Sequence, residues 1–299
     1  MRSSGTIFSL ASGAAFGSMA IFGKLAYDEG ANVGTLLAVR FTVGAALFWV
    51  LVLAGGALSE ARGLRRRDIG LGLALGAAGY AAQAGLYFVA LERIDASILA
   101  LLLYTFPAMV TVTAVALGRD RITRRRLVAL ALTSVGLILV LTGATGGGFD
   151  ALGAVLALGA AVVYTTYILS SQGAAGRISP YLLSALVCTG AAITLTLGAS
   201  LLGQLHPADV SAKGWLWLAG IGVVSTVAAI GFFFAGLRRV GPTSASILAT
   251  VEPVVTVLLA FLVFGETLAA VQVLGAALVL TSVIVLQARS RSPEPVLAS

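Results

Sequence analysis

Residues 86–107, LYFVALERIDASILALLLYTFP, return 146 positions later as residues 232–253, FFFAGLRRVGPTSASILATVEP, aligned without a gap. In that register Leu91-Glu92-Arg93 meets Leu237-Arg238-Arg239, and Pro107 meets Pro253. The same offset brings Gly13-Ala14-Ala15 onto Gly159-Ala160-Ala161 and Gly44-Ala45-Ala46 onto Gly190-Ala191-Ala192. After the prolines, a slip of one or two residues brings Thr133-Ser134-Val135 onto Thr281-Ser282-Val283. Single Gly-Ala-Ala matches are cheap in a chain with 36 glycines, but agreement of separated blocks on one offset is not. The chain reads as a tandem repeat, residues 1–146 and 147–288, followed by a disordered tail at 289–299.

Composition decides where that repeat resides. Of the 299 residues, 59% are hydrophobic and only 10% charged, and the mean hydropathy is +1.03. An ordinary soluble domain carries about a quarter charged residues, so this chain cannot cover a water-soluble globule of its length. That excludes a soluble enzyme, a disordered protein and, with Cys188 as the one cysteine, a disulfide scaffold. A bilayer-spanning helix needs about 20 mostly apolar residues. Ten such runs lie near 6–27, 33–53, 68–91, 94–117, 127–143, 151–171, 180–202, 213–237, 242–264 and 268–288. The first is too long for the apolar part of a signal peptide, and Lys24 sits where a cleavage site needs small neutral residues. The expected class is an all-α integral membrane protein of ten transmembrane helices.

Five helices per repeat is an odd number, so the second repeat enters the bilayer from the opposite side and the two are inverted. On alternate sides of a ten-helix chain the basic residues divide fifteen to four. Arg65, Arg66, Arg67, Arg124, Arg125 and Arg126 fall on the rich side; the poor side holds only Lys24, Arg40, Arg93 and Lys213. The positive-inside rule then puts both termini in the cytoplasm. The net charge of +7 is thus a membrane address that touches anionic lipid, and no nucleic-acid partner is expected. Inverted repeats are a transporter architecture, because exchanging the packing of two similar halves turns an inward-open cavity outward.

Further phrases carry a resemblance. Phe16-Gly17-Ser18 and Ala38-Val39-Arg40-Phe41 resemble the first two helices of the drug/metabolite transporter superfamily. Val89-Ala90-Leu91, Pro107, Glu252-Pro253 and Phe264-Gly265-Glu266-Thr267-Leu268 are similar to its EamA modules. The first half departs from the pattern, with Phe106 where the second has Glu252 and Gly118-Arg119-Asp120 in place of Gly-Glu. The resemblance covers the whole chain and implies a multi-pass carrier of the bacterial inner membrane, most like the aromatic amino-acid exporters. It implies alternating-access export of small metabolites, aromatic or large apolar amino acids favoured, with drugs or other metabolites as the alternative cargo.

Polar side chains at membrane depth must face the bundle or a wet cavity. Tyr80, Gln83 and Tyr87 share one helix face, although Tyr87 also suits the outer aromatic belt; interhelical hydrogen bonding is the plainer reading of all three. Pro107 and Pro253 each lack an N–H and free the carbonyl four residues earlier, at Leu103 and Ala249, which makes them the expected hinges. Tyr104 and Thr250 occupy equivalent positions before them. Glu252 is the one carboxylate near the middle of a predicted span, where a charge costs at least about 2.5–3.5 kcal/mol. It calls for a proton, a partner or water; Arg40 is the expected partner, and a substrate ammonium an alternative. Tyr164 and Tyr167, with Phe16 and Met19, offer an aromatic and thioether lining. The expected cavity set is Met19, Tyr80, Gln83, Tyr87, Tyr104, Tyr164, Thr250 and Glu252, with Arg40 and Glu252 setting its charge.

The spacings Gly13-x-x-x-Gly17 and Gly72-x-x-x-Gly76 suit close helix packing. His206 reads as a solvated loop residue, and one His with one Cys cannot build a usual metal site. No P-loop is present, so neither a cofactor nor ATP drive is expected. A small-molecule substrate and the bilayer are the expected partners of a monomer. A membrane enzyme acting on lipid head groups would need clustered acids or metal ligands at one surface, and the sequence supplies none.

Overall fold

The runs of Leu, Val and Ala leave no alternative to helix in lipid, where each backbone polar group must be satisfied within its own segment. A computed structural model describes residues 2–56, 58–118, 123–144, 150–175, 177–241, 245 and 248–287. The described residues are helical, without strands. Eight helices are long and apolar enough to cross a membrane: α1 (Ser4–Asp28), α2 (Val33–Ala54), α3 (Arg66–Leu91), α4 (Ala96–Ala116), α5 (Arg124–Thr142), α6 (Ala151–Ser171), α7 (Pro180–Leu201) and α8 (Ala212–Val240). Two shorter apolar helices follow, α9 (Val251–Phe264) and α10 (Ala270–Leu286). The ninth predicted run starts at residue 242, and 242–244 and 246–247 lie outside the described residues, as do Arg119, Asp120 and the tail.

Local chemistry sets several ends. The Asn32 side chain accepts from the Thr35 N–H at the start of α2, Asp150 from Gly153 at the start of α6, and Ser211 from Gly214 at the start of α8. Gly265, at φ +67°, closes α9 in the left-handed region that glycine tolerates.

Five helical paths are irregular: α1 breaks at Ser18, and the other four irregularities form two pairs, each with one member in either half of the chain. A turn of π-helix interrupts α3 at Leu75–Tyr80 and α8 at Val223–Ala228. The α-helical path of α4 breaks at Tyr104 and Thr105, just before Pro107, and a turn at Thr250 precedes α9 and Pro253. Tyr80 and Thr226, like Tyr104 and Thr250, stand 146 residues apart.

The principal packing pairs are α1 with α8 and α9, α6 with α3 and α4, α2 with α7 and α8, α7 with α3, α4 with α9, and α5 with α10. Glycines let several of these backbones touch. A Cβ at Gly76 would lie 1.9 Å from the Val187 carbonyl oxygen, and one at Gly190 would lie 2.1 Å from that of Leu73, which locks α3 to α7. Gly136 and Gly275 do the same between α5 and α10. Phe41, Phe48, Phe88, Leu99 and Leu182 are fully buried between helices, whereas Ile7, Ile138, Val155, Leu197 and Leu262 are exposed on the outer surface. An apolar rim around a buried core is what a bilayer solvent selects.

Contacts sort the helix ends onto two faces. At one, which holds the start of α1, Arg177 pairs with Asp68 and the Ser179 N–H donates to Glu60. At the other, Ser211 donates to Glu29, the His206 N–H to Thr35, and Arg93 pairs with Asp150.

Candidate functional site

Two ionisable side chains stand at mid-depth, Arg40 buried and Glu252 half-buried, each with its own partners. Arg40 of α2 is 2% exposed. Its Nε donates to Thr226 Oγ1 at 3.2 Å and its Nη2 to the Tyr80 hydroxyl at 3.3 Å. Both acceptors stand in the π-helical turns, which recur at functional sites because they re-aim side chains inside an otherwise regular helix. The Thr226 hydroxyl proton goes to the Ile221 carbonyl five residues earlier, leaving its lone pairs for Arg40. The rings of Phe41, Phe88 and Tyr80 lie 4.8, 5.6 and 5.7 Å from the guanidinium carbon, within cation–π reach.

Glu252 does not pair with Arg40, contrary to the expectation from sequence. Its Oε2 lies 3.0 Å from the Tyr104 hydroxyl, which also stands 3.1 Å from the Ala249 carbonyl. That carbonyl is the one Pro253 leaves without its N–H, so the proline creates an acceptor and the tyrosine of the facing helix fills it. One phenolic proton cannot serve both acceptors. When Glu252 is protonated it donates to the Tyr104 oxygen, which donates in turn to Ala249, and every group is satisfied. When Glu252 is ionised, either it or Ala249 goes without. The backbone here is held by α1: a Cβ at Gly17 would lie 2.7 Å from the Glu252 carbonyl oxygen, and Thr256 donates to the Gly17 carbonyl at 2.9 Å.

An arc of rings joins the two charges. Tyr80 stacks on Tyr167, and Tyr167 on Tyr164, with centroids 5.6 and 6.2 Å apart. Tyr164 meets Phe106 edge-on at 4.7 Å, and Phe106 meets Tyr104 at 5.8 Å. The arc borders a small pocket of about 100 Å³, lined by Phe16, Met19, Arg40, Tyr80, Gln83, Tyr87, Leu103, Tyr104, Phe106, Tyr164 and Glu252. Six of those residues also line a larger cavity of about 560 Å³ that reaches Ser171, Pro180, Phe234 and Val283, toward the face holding the start of α1. Pro107 and Thr250 border that cavity, whereas Pro253 is buried away from both. Tyr87 is 7% exposed and turned to the pocket, away from the membrane surface.

The chain has recognisable relatives. A model of the EamA-like transporter family matches residues 3–142 and again residues 151–287. The chain belongs to the EamA-like transporter family. An uncharacterized transporter of Archaeoglobus fulgidus is 30% identical over 199 residues, 67% of this chain and 70% of that one. The uncharacterized transporter YcbK of Bacillus subtilis is 28% identical over 277 residues, 91% of this chain and 88% of that one. A protein of known crystal structure, 22% identical, shares the fold at a TM-score of 0.67 over 95% of this chain and 98% of that one. Membership of this family makes the protein a multi-pass membrane transporter of a small-molecule substrate, and not an enzyme.

In this EamA-like transporter one cluster ties helix ends together at the face opposite the aromatic cavity, beside a separate cavity of about 600 Å³ bordered by Lys24, Asp95, Phe264 and Glu266. Lys24 of α1 donates to Glu266 Oε1 at 2.8 Å, and the same carboxylate accepts from the Ala96 and Ser97 N–H groups at 3.0 Å and from the Ser97 hydroxyl at 2.8 Å. Glu266, on the connection after α9, thereby caps α4 and ties it to α1. Burial alone would raise the Glu266 carboxyl, but the bonds from Lys24 and Ser97 outweigh it and hold the group below the usual glutamate range. Asp95, 3.8 Å from Lys24, is instead pushed up, by burial and by the Glu266 charge. In the sequence Glu266 stands out as an outer loop acid within a family motif, and Phe106 as a departure from one. A carboxylate held by a Gly-Glu pair just past a long apolar run was the signal for the first. Nothing local pointed to the second.

Proposed function

We propose that the chain is a secondary carrier that exports small metabolites from the cytoplasm across the bacterial inner membrane, with aromatic or large apolar amino acids favoured. It works by alternating access of two inverted five-helix repeats, residues 1–146 and 147–288, with both termini cytoplasmic. Three observations support the repeat: the matched π turns and breaks, the family match in two successive segments, and a set of helix pairs that stays the same when α1–α5 trade places with α6–α10. The fifteen-to-four division of basic residues supports the orientation.

The observation that carries the reading is the aromatic cavity at mid-depth, reaching toward the face that holds the start of α1, with the Lys24–Glu266 cluster tying helix ends together at the other. A ring-lined cavity with a few convergent polar groups suits an aromatic or apolar guest with a charged end. Liposome counterflow of labelled phenylalanine, tryptophan, methionine and threonine, with and without a pH gradient, tests it. Saturable counterflow strongest for phenylalanine and tryptophan is expected. Unsaturable flux without counterflow would mark a channel, and silence with all four would overturn the amino-acid assignment. Flux driven by the pH gradient and abolished in Glu252→Gln would make Glu252 the proton site; flux indifferent to both would leave it a structural residue.

A further inference from the structure

Arg40 carries more hydrogen-bonding capacity than the protein uses. A guanidinium has five N–H donors, and here one on Nε and one on Nη2 are engaged, both by neutral hydroxyls. Among the described residues no carboxylate lies within ion-pair reach of it, though it is buried among three rings. A buried charge without a counter-charge is costly, and the opening beside this one is the pocket that Arg40 lines. Gln83 lines the same pocket at 8% exposure, and its amide makes no hydrogen bond within the described protein. Two deeply buried donors with spare capacity therefore converge on one pocket, and Glu252, of opposite charge, borders it as well.

We propose that Arg40 and the Gln83 amide form a carboxylate-binding subsite, with Glu252 facing the ammonium of the same molecule and the aromatic arc facing its side chain. This rests on the amino-acid reading above and deepens it, narrowing the substrate to zwitterions with a free carboxylate. Guanidinium and carboxylate match as planar, bidentate partners, and binding supplies the counter-charge that no carboxylate among the described residues gives Arg40.

Competition against counterflow of labelled phenylalanine, with full-length protein in liposomes, tests the subsite without any variant. Phenylalaninamide and phenethylamine, which keep the amine and lose the carboxylate, are expected to compete at least about tenfold more weakly than phenylalanine. Arg40→Gln is expected to weaken phenylalanine by a similar factor and to bring the amide within about twofold of it, with Arg40→Lys between the two. Equal competition by amide and acid in the wild type would overturn the subsite and leave the exporter reading standing. Absence of counterflow with phenylalanine, tryptophan, methionine and threonine alike would overturn the amino-acid reading instead. In that event thermal unfolding of the purified protein with 3-phenylpropionate or phenethylamine decides the subsite: stabilisation by the acid alone, lost in Arg40→Gln, supports it, and no difference between them overturns it.

Discussion

Tyr104 holds together the most demanding corner of the molecule, because its hydroxyl meets both a carboxylate and a carbonyl that proline has orphaned. Tyr104→Phe keeps the ring against Phe106 but leaves both acceptors without that donor. It should destabilise the protein by about 1–3 kcal/mol, the cost of stranded buried polar groups, seen as a lower midpoint in thermal unfolding; an unchanged midpoint would mean that water replaces the hydroxyl. At this scale the sequence was legible wherever membrane depth makes a polar side chain conspicuous. Tyr80, Gln83, Tyr104 and Glu252 stood out for that reason, and all four border one pocket. Partnerships were not legible. Arg40 and Glu252 looked like a pair because they are opposite charges at depth, yet packing gives the first to Thr226 and Tyr80 and the second to Tyr104. Phe106 looked like a lost carboxylate and proves to be the link between Tyr104 and Tyr164.

At the scale of elements, glycine contacts and helix breaks decide how the segments fit. Gly76 sits in the π turn of α3 with the Val187 backbone directly against it, so any side chain there forces α3 and α7 apart. Gly76→Ala should lower stability by about 1–3 kcal/mol, as overpacking does. Gly70→Ala, on the same helix with open space around it, should be neutral or stabilising by up to about 1 kcal/mol. Thermal unfolding of the two side by side checks the contrast; equal effects would show that the helices can shift to make room. The breaks in α4 and before α9 were legible because proline announces them. The π turns were not, since an inserted residue leaves no mark on an apolar run whose every face is buried or in lipid. Helix ends at Asn32, Asp150 and Ser211 follow capping chemistry. The cap on α4 does not, because Glu266 arrives from a connection 169 residues away.

At the scale of the whole molecule, an all-helical membrane transporter was legible from composition, and the register that aligns 22 residues ending at Pro107 with 22 ending at Pro253 is what motivates the proposed repeat. Which face the aromatic cavity reaches was not legible, because helix packing rather than any local sequence pattern sets it. In the structure the cluster of Lys24, Glu266 and Ser97 ties helix ends together at one face while the aromatic cavity reaches toward the other. Under the proposed carrier mechanism, substrate makes these arrangements alternate. One distance tests this, that between spin labels on Asp28→Cys and Thr267→Cys at the face of the Lys24–Glu266 cluster, in a Cys188→Ser background. Alternating access predicts one short distance in the free protein and a second, longer one when phenylalanine is added or when Glu266→Gln weakens the cluster. A single distance, unmoved by the ligand and by the substitution, would contradict it.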